Sequence, residues 1–142
     1  MQKLMLVRGL PGSGKTTYAK SYEGFYHVEA DMFFVGTDGV YRFSPSKLGE
    51  AHAWCQRQAA LALERGDSVV VSNTFTRKWE MEAYLDMAAK LSVPVDVVSL
   101  QPAKLFPNIH GVPDEAISKM RSRWETFPGE RVVAAWDCFQ KE

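Results

Sequence analysis

Short apolar runs alternate along this chain with longer amphipathic stretches. Lys3 to Arg8 is aliphatic and stops at Gly9, Phe25 to Val28 is apolar and aromatic, Ser68 to Ser72 contains Val69-Val70-Val71, and Val95 to Leu100 is again Val-rich. Each run is bounded by turn formers and predicts a buried strand. Between them the spacing turns helical. Thr16 to Ser21 is helix-compatible and breaks at Gly24. Leu48, Ala51, His52, Cys55, Ala59, Ala62 and Leu63 line one helix face, with Ser44-Pro45 as N-cap and N1 proline and Gly66 at C′. Met81, Tyr84, Leu85, Ala88 and Leu91 predict another helix capped by Thr76, and a last one starts near Pro113 with Asp114 and Glu115 in its first turn. Gly36 to Ser46 is turn-rich around Val40-Tyr41-Arg42-Phe43 and predicts a hairpin or an irregular excursion, while no clear pattern emerges from Pro128 onward.

Val-rich strands joined by helical crossovers predict a parallel sheet of about four or five strands with helices on both faces, an α/β three-layer fold. A chain of 142 residues is expected to form a single domain over 1–142.

Composition narrows the partners. Hydrophobic residues at 46% exclude disorder as the default state, and 17 basic against 17 acidic residues speak against a broad grip on long nucleic acid. A small, local phosphate site remains compatible with that balance. No apolar run reaches the ~18 residues of a membrane span, and the N-terminal apolar run is too short for a signal peptide. Cys55 and Cys138 form no CxxC pair and read as free thiols, so a cytoplasmic location is expected.

The strongest chemical signal is Gly9-Leu10-Pro11-Gly12-Ser13-Gly14-Lys15-Thr16, which matches G-x-x-x-x-G-K-[ST] between a predicted strand and a predicted helix. Gly9, Gly12 and Gly14 let backbone amides, including those of Ser13, Thr16 and Thr17, converge on phosphate. Lys15 is expected to reach the β- and γ-phosphates of ATP and Thr16 to hold Mg²⁺. The alternative is a chance glycine turn with a solvated lysine.

Hydrolases of this class end an apolar strand with Asp, whereas the matching strand here reads Val69-Val70-Val71-Ser72-Asn73-Thr74. No guanine-specifying motif is present either. The remaining candidate base is Asp31, just past the second strand, where it is placed to accept the proton of an acceptor hydroxyl. Its alternative role is a helix cap. Glu29 reads as a solvated strand-end charge. A lid is expected over about 101–124, with Lys104, His110 and the arginines Arg121 and Arg123. With Ile117, Met120, Trp124 and Phe127 as the inner face, Arg121 lies about 40° to one side and Arg123 about 120° to the other. Either is a candidate to cover the transferring phosphoryl group; the alternative is an ordinary charged surface helix.

The series Gly9 to Thr17, Ala30-Asp31-Met-Phe-Phe34, Tyr41-Arg-Phe-Ser-Pro45, Ala51-His52-Ala-Trp54-Cys55, Ser72-Asn73-Thr74, Trp79-Glu80-Met81, Asn108-Ile-His110-Gly-Val-Pro113 and Arg123-Trp124-Glu125 resembles the P-loop kinase-like domain of the Nedd-binding protein 2-like family, which is similar to bacteriophage polynucleotide 5′-hydroxyl kinases. The resemblance implies nucleotide and Mg²⁺ binding by Lys15 and Thr16, a general base at Asp31, an acceptor contact near Asn73, and a lid entrance at 108–113. Two arginines of the phage kinases are replaced, by Phe34 and Pro107. Arg42, Trp79 and His110 join Asn73 as candidate acceptor contacts, Trp79 by stacking on a base. Helical spacing makes core packing the expected role of Trp54, Trp79 and Trp124, with stacking the other role open to Trp79, and a structural role is expected for His27 and His52. The function expected is transfer of the ATP γ-phosphate to a hydroxyl, on a nucleic-acid end or a small molecule. The alternatives are a nucleotide-binding module with little turnover and a kinase-like toxin.

Overall fold

The computed structural model describes residues 2–101 and 112–133. Five parallel strands, β1 (Leu4–Gly9), β2 (Tyr26–Val28), β3 (Val69–Asn73), β4 (Val95–Leu100) and β5 (Arg131–Val133), form one sheet in the order β2-β3-β1-β4-β5. The helices are α1 (Lys15–Lys20), α2 (Leu48–Glu64), α3 (Glu82–Lys90) and α4 (Asp114–Ser122).

Every residue of β1 and β3 is buried, which a central strand of a parallel sheet requires because helices cover both faces. Alternation divides the core accordingly. Leu4, Leu6, Val69 and Val71 point to one side, where α2 and α3 press small residues such as Ala51, Ala59, Ala62 and Ala88 against them. Met5, Val7, Val70 and Val98 point to the other side, against Tyr18 and Ala19 of the short α1. Truncating a fully buried residue such as Leu6 to Ala removes ~2–5 kcal/mol.

Local chemistry sets the helix ends. Pro45 opens a 3₁₀ turn over Pro45–Lys47 that leads into α2. Gly66, at φ 97°, ends α2: its amide bonds to the Leu63 carbonyl and that of Asp67 to the Ala62 carbonyl, the paired closure that a left-handed residue permits. The expected Thr76 cap is shifted by one residue. Glu80 reaches back to the Arg77 amide at 3.0 Å and to the Thr76 hydroxyl at 2.8 Å, and a 3₁₀ turn over Lys78–Met81 precedes α3.

β5, absent from the expected elements, is a three-residue edge strand whose Arg131 and Val132 are exposed, so no buried pattern marks it. The expected excursion over Gly36 to Ser46 is tied back by one antiparallel bridge, from Tyr41 to Val35 just before it. Because all five strands run the same way, Gly9, Glu29, Asn73 and Leu100 meet at one edge of the sheet, where α/β folds bind ligands. Among the described residues no helix is long and apolar enough to cross a membrane.

Candidate nucleotide and phosphoryl-transfer site

The loop leaving β1 has the backbone its glycines imply. Gly12 and Gly14 sit at φ 86° and 87°, a left-handed conformation that side-chain-bearing residues rarely adopt. A Cβ at Gly9 would collide with Ser13 Oγ, so a side chain here requires Ser13 to shift. Ser13 donates its amide to the Leu10 carbonyl at 3.0 Å, while its buried hydroxyl has no hydrogen-bond partner among the described residues. Left-handed glycines leading into the start of α1 fit a phosphate ligand, since such a loop turns its backbone amides toward one point.

Lys15 and Thr16 open α1. Burial lowers the Lys15 pKa, and the nearby charges of Glu29 and Asp31 partly offset that shift by favouring its charged form. Thr16 donates its hydroxyl to Glu29 Oε2 at 2.6 Å.

Glu29 departs from expectation: it is buried, only 8% exposed, and not a solvated strand-end charge. Besides Thr16, Ser72 donates to the same oxygen at 2.5 Å and His27 Nε2 lies 3.3 Å from it, and His27 and Ser72 are themselves 2.8 Å apart. Burial alone would raise the Glu29 pKa, but the bonds from His27, Ser72 and Thr16 outweigh it and hold the carboxyl at about 2. Sequence pattern could not reveal this because the four residues come from α1, β2 and its end, and β3.

Asp31 lies in the 3₁₀ turn Ala30–Phe34 that follows β2, partly buried, with the Tyr41 hydroxyl donating to its Oδ1 at 3.4 Å. Burial, then the Asp31 charge and the hydrogen bond, push the Tyr41 phenol up to about 12. Asn73 is buried beneath this turn. Its Oδ1 accepts the Ala30 amide at 2.9 Å and its Nδ2 lies 3.7 Å from Cys55 Sγ, so the side chain anchors the Asp31 turn to β3. Cys55 is a buried free thiol.

The remaining expected contacts are dispersed. Phe34 is buried and packs edge-on against Tyr41 and Phe43. Arg42 pairs with Asp38 at 2.8 Å on the surface. Trp79 is 66% exposed on its 3₁₀ turn and does not join the core, whereas Trp54 packs against it beside Phe33. Arg121 is exposed near the end of α4, and Arg123, just beyond it, points Nε at Thr76 Oγ1, 3.2 Å away. Trp124 and Phe127 follow the helix and do not lie on its face. Lys104, Pro107, Asn108 and His110 fall outside the described residues, as does Cys138.

One structural centre was missed by sequence reading. Arg8, the penultimate residue of β1, is completely buried. Its Nε and Nη2 donate to the Phe75 carbonyl at 3.0 and 2.6 Å, Nη2 also to that of Thr76 at 3.2 Å, and Nη1 to Glu130 Oε1 at 3.0 Å. The guanidinium stacks 4.1 Å from the Trp124 ring centroid. Burial lowers its pKa, with Glu130 acting in the opposite sense. Phe75 has φ 47°, a costly conformation for an aromatic residue, which the Arg8 fork stabilises. The only signal available in sequence was a basic residue closing an apolar strand.

Residues 4–104 match the family described as AAA domain, AAA_33. The chain is 34% identical to human NEDD4-binding protein 2 over 143 residues, covering 92% of this chain and 8% of that protein. It is 25% identical to the bifunctional polynucleotide phosphatase/kinase of Schizosaccharomyces pombe, over 87% of this chain and 30% of that one. Among solved structures it superposes on the Mycobacterium tuberculosis APS kinase CysC in complex with AMPPNP and APS, at TM-score 0.62 and 16% identity, covering 94% of this chain and 88% of that one. The phosphate loop, the all-parallel sheet and the extent of these matches lead to one assignment: the chain belongs to the AAA_33 family, as a P-loop kinase-like domain homologous to a small part of NEDD4-binding protein 2.

Proposed function

We propose that this protein is an ATP-dependent phosphotransferase acting on a hydroxyl group. The observation that carries the reading is the position of Asp31 in the turn directly after β2, two residues from the Glu29 carboxylate that accepts the Thr16 hydroxyl, while β3 ends in Ser72 and Asn73 without a water-activating acid. The loop amides and Lys15 hold the β- and γ-phosphates. Asp31 orients the acceptor hydroxyl and takes its proton as the oxygen attacks. Arg121 or Arg123, carried at the end of α4, covers the transferring group. Mg²⁺ fits the site, since a hard cation takes oxygen ligands and Thr16 offers a hydroxyl beside a buried carboxylate. When bound, it neutralises charge developing on the phosphate oxygens.

The kinship with a polynucleotide phosphatase/kinase supports a nucleic-acid 5′ end as acceptor, and the fold shared with APS kinase supports a small nucleotide. Trp79, exposed beyond β3, and Arg42 are candidate contacts for either. A second reading, a nucleotide-binding module with little turnover, is favoured by the buried Phe34 in place of a phosphate-gripping arginine and by the engagement of Arg42 with Asp38.

The test supplies γ-labelled ATP and Mg²⁺ with 5′-hydroxyl oligonucleotides, nucleosides, nucleoside monophosphates and sugars. Transfer to one class, abolished in Lys15→Ala and reduced at least ~100-fold in Asp31→Asn, is the expected result. ATP binding with no transfer to any acceptor replaces the kinase with the binding module.

A further inference from the structure

The site lacks one part that its own chemistry demands. β3 runs beside β1, and its position next to the phosphate loop is occupied by Ser72, which has no charge to offer a cation. A divalent ion on nucleotide phosphates is usually held by one or two protein carboxylates together with the phosphate oxygens and water. Among the described residues no group of three or more His, Cys, Asp or Glu side chains could form an independent metal site.

The adjacent strand supplies the missing charge. Glu29, at the end of β2, reaches across β3 and accepts the Thr16 hydroxyl at 2.6 Å and the Ser72 hydroxyl at 2.5 Å. Thr16 and Ser72 both donate to Oε2 and His27 Nε2 lies 3.3 Å from the same atom, leaving Oε1 without a hydrogen bond among the described residues. A carboxylate only 8% exposed, held from one side by three groups and touching the phosphate-loop threonine, is oriented before any ligand arrives.

We infer that Glu29 is the carboxylate that holds the nucleotide's Mg²⁺ together with Thr16, directly or through a bound water, with Ser72 and His27 as its positioning residues. The inference rests on the nucleotide-binding reading and deepens it. The acid stands at the end of β2 and not on β3, and Ser72 of β3 orients it. Asp31, two residues further along, remains dedicated to the acceptor.

The test is the dependence of ATP affinity on Mg²⁺, measured by titration calorimetry on the full chain in excess Mg²⁺ and in EDTA. In the wild type, Mg²⁺ is expected to tighten ATP binding at least ~10-fold, in line with the loss caused by altering such outer partners. Glu29→Gln, which keeps the volume and hydrogen-bonding capacity, is expected to bind ATP in EDTA as the wild type does and to gain less than about threefold from Mg²⁺. Should that variant not fold, the paired Glu29→Ala/Ser72→Ala variant, which removes both bonding partners together, is read the same way. A full Mg²⁺ gain in the variant overturns the inference. So does an equal loss of affinity with and without the metal, which would mark Glu29 as a brace for Thr16 alone. A wild type that binds ATP with no benefit from Mg²⁺ overturns the inference and leaves the phosphate loop intact, whereas no ATP binding under either condition overturns the nucleotide reading itself.

Discussion

The two halves of the site are built in opposite ways. On the phosphate side, eight consecutive residues, Gly9 to Thr16, make the cradle, and the determinants are local: left-handed glycines, one missing Cβ and the start of a helix. On the proposed acceptor side, nothing is contiguous. Asp31 owes its position to Asn73, 42 residues away, and to Tyr41 in the excursion, while Arg8 ties the loop after β3 to Glu130 beyond α4. The comparison teaches that phosphate binding is encoded where it acts. The position of Asp31, the proposed base, is encoded in buried polar contacts spread across the fold, and it is correspondingly sensitive to remote substitutions.

The comparison can be broken most forcefully at Arg8. Arg8→Met leaves Glu130 buried without its partner and strands the Phe75 carbonyl, while that of Thr76 keeps the Glu125 amide, for an expected loss of ~3–5 kcal/mol in denaturant unfolding. A loss below about 1 kcal/mol would show that the Phe75 carbonyl and Glu130 find other partners. Next in size is Lys15→Ala, expected to weaken ATP binding ~100-fold by calorimetry while leaving the unfolding midpoint nearly unchanged, as the proposed role of its charge on phosphate requires.

Asn73→Ala sharpens the contrast further. It removes the acceptor of the Ala30 amide, so ~1–3 kcal/mol of stability and most phosphoryl transfer should be lost together, with ATP affinity retained. Equal losses of ATP affinity and transfer would mean that the two halves are not separable. Tyr41 provides a pH reading. Its folded pKa of about 12 lies above the ordinary value of 10, so its contribution to stability is fully present below pH 10 and fades as pH rises through 12. Absorbance titration should show one fewer late-ionising phenol in Tyr41→Phe than in the wild type. The smallest structural effect belongs to Trp79→Ala: stability should change by less than about 0.5 kcal/mol, since the ring is exposed, while any loss of transfer to oligonucleotide acceptors would be a direct sign of stacking.

Much of the fold was legible because its signals are short-range. Val-rich runs in β3 and β4, the glycine closing α2 and the proline opening the turn before it each act within a few residues. The phosphate loop was legible for the same reason. β5 was not, because a three-residue exposed edge strand has no buried face to impose a pattern. Trp79 was misleading: a large aromatic beside an amphipathic helix suggests core, yet it sits on the 3₁₀ turn ahead of α3 and faces out.

Glu29 and Arg8 mark the boundary between the two kinds of information. The sequence by itself determined the parallel α/β architecture and the phosphate cradle, since periodicity and backbone conformation are properties of neighbouring residues. Only the tertiary structure decided that an acid at the end of β2 is buried against Thr16, Ser72 and His27, and that an arginine closing β1 lies wholly inside the protein. A charge is stable in the interior only where partners from distant segments converge to satisfy it, and that convergence exists only once the sheet has assembled.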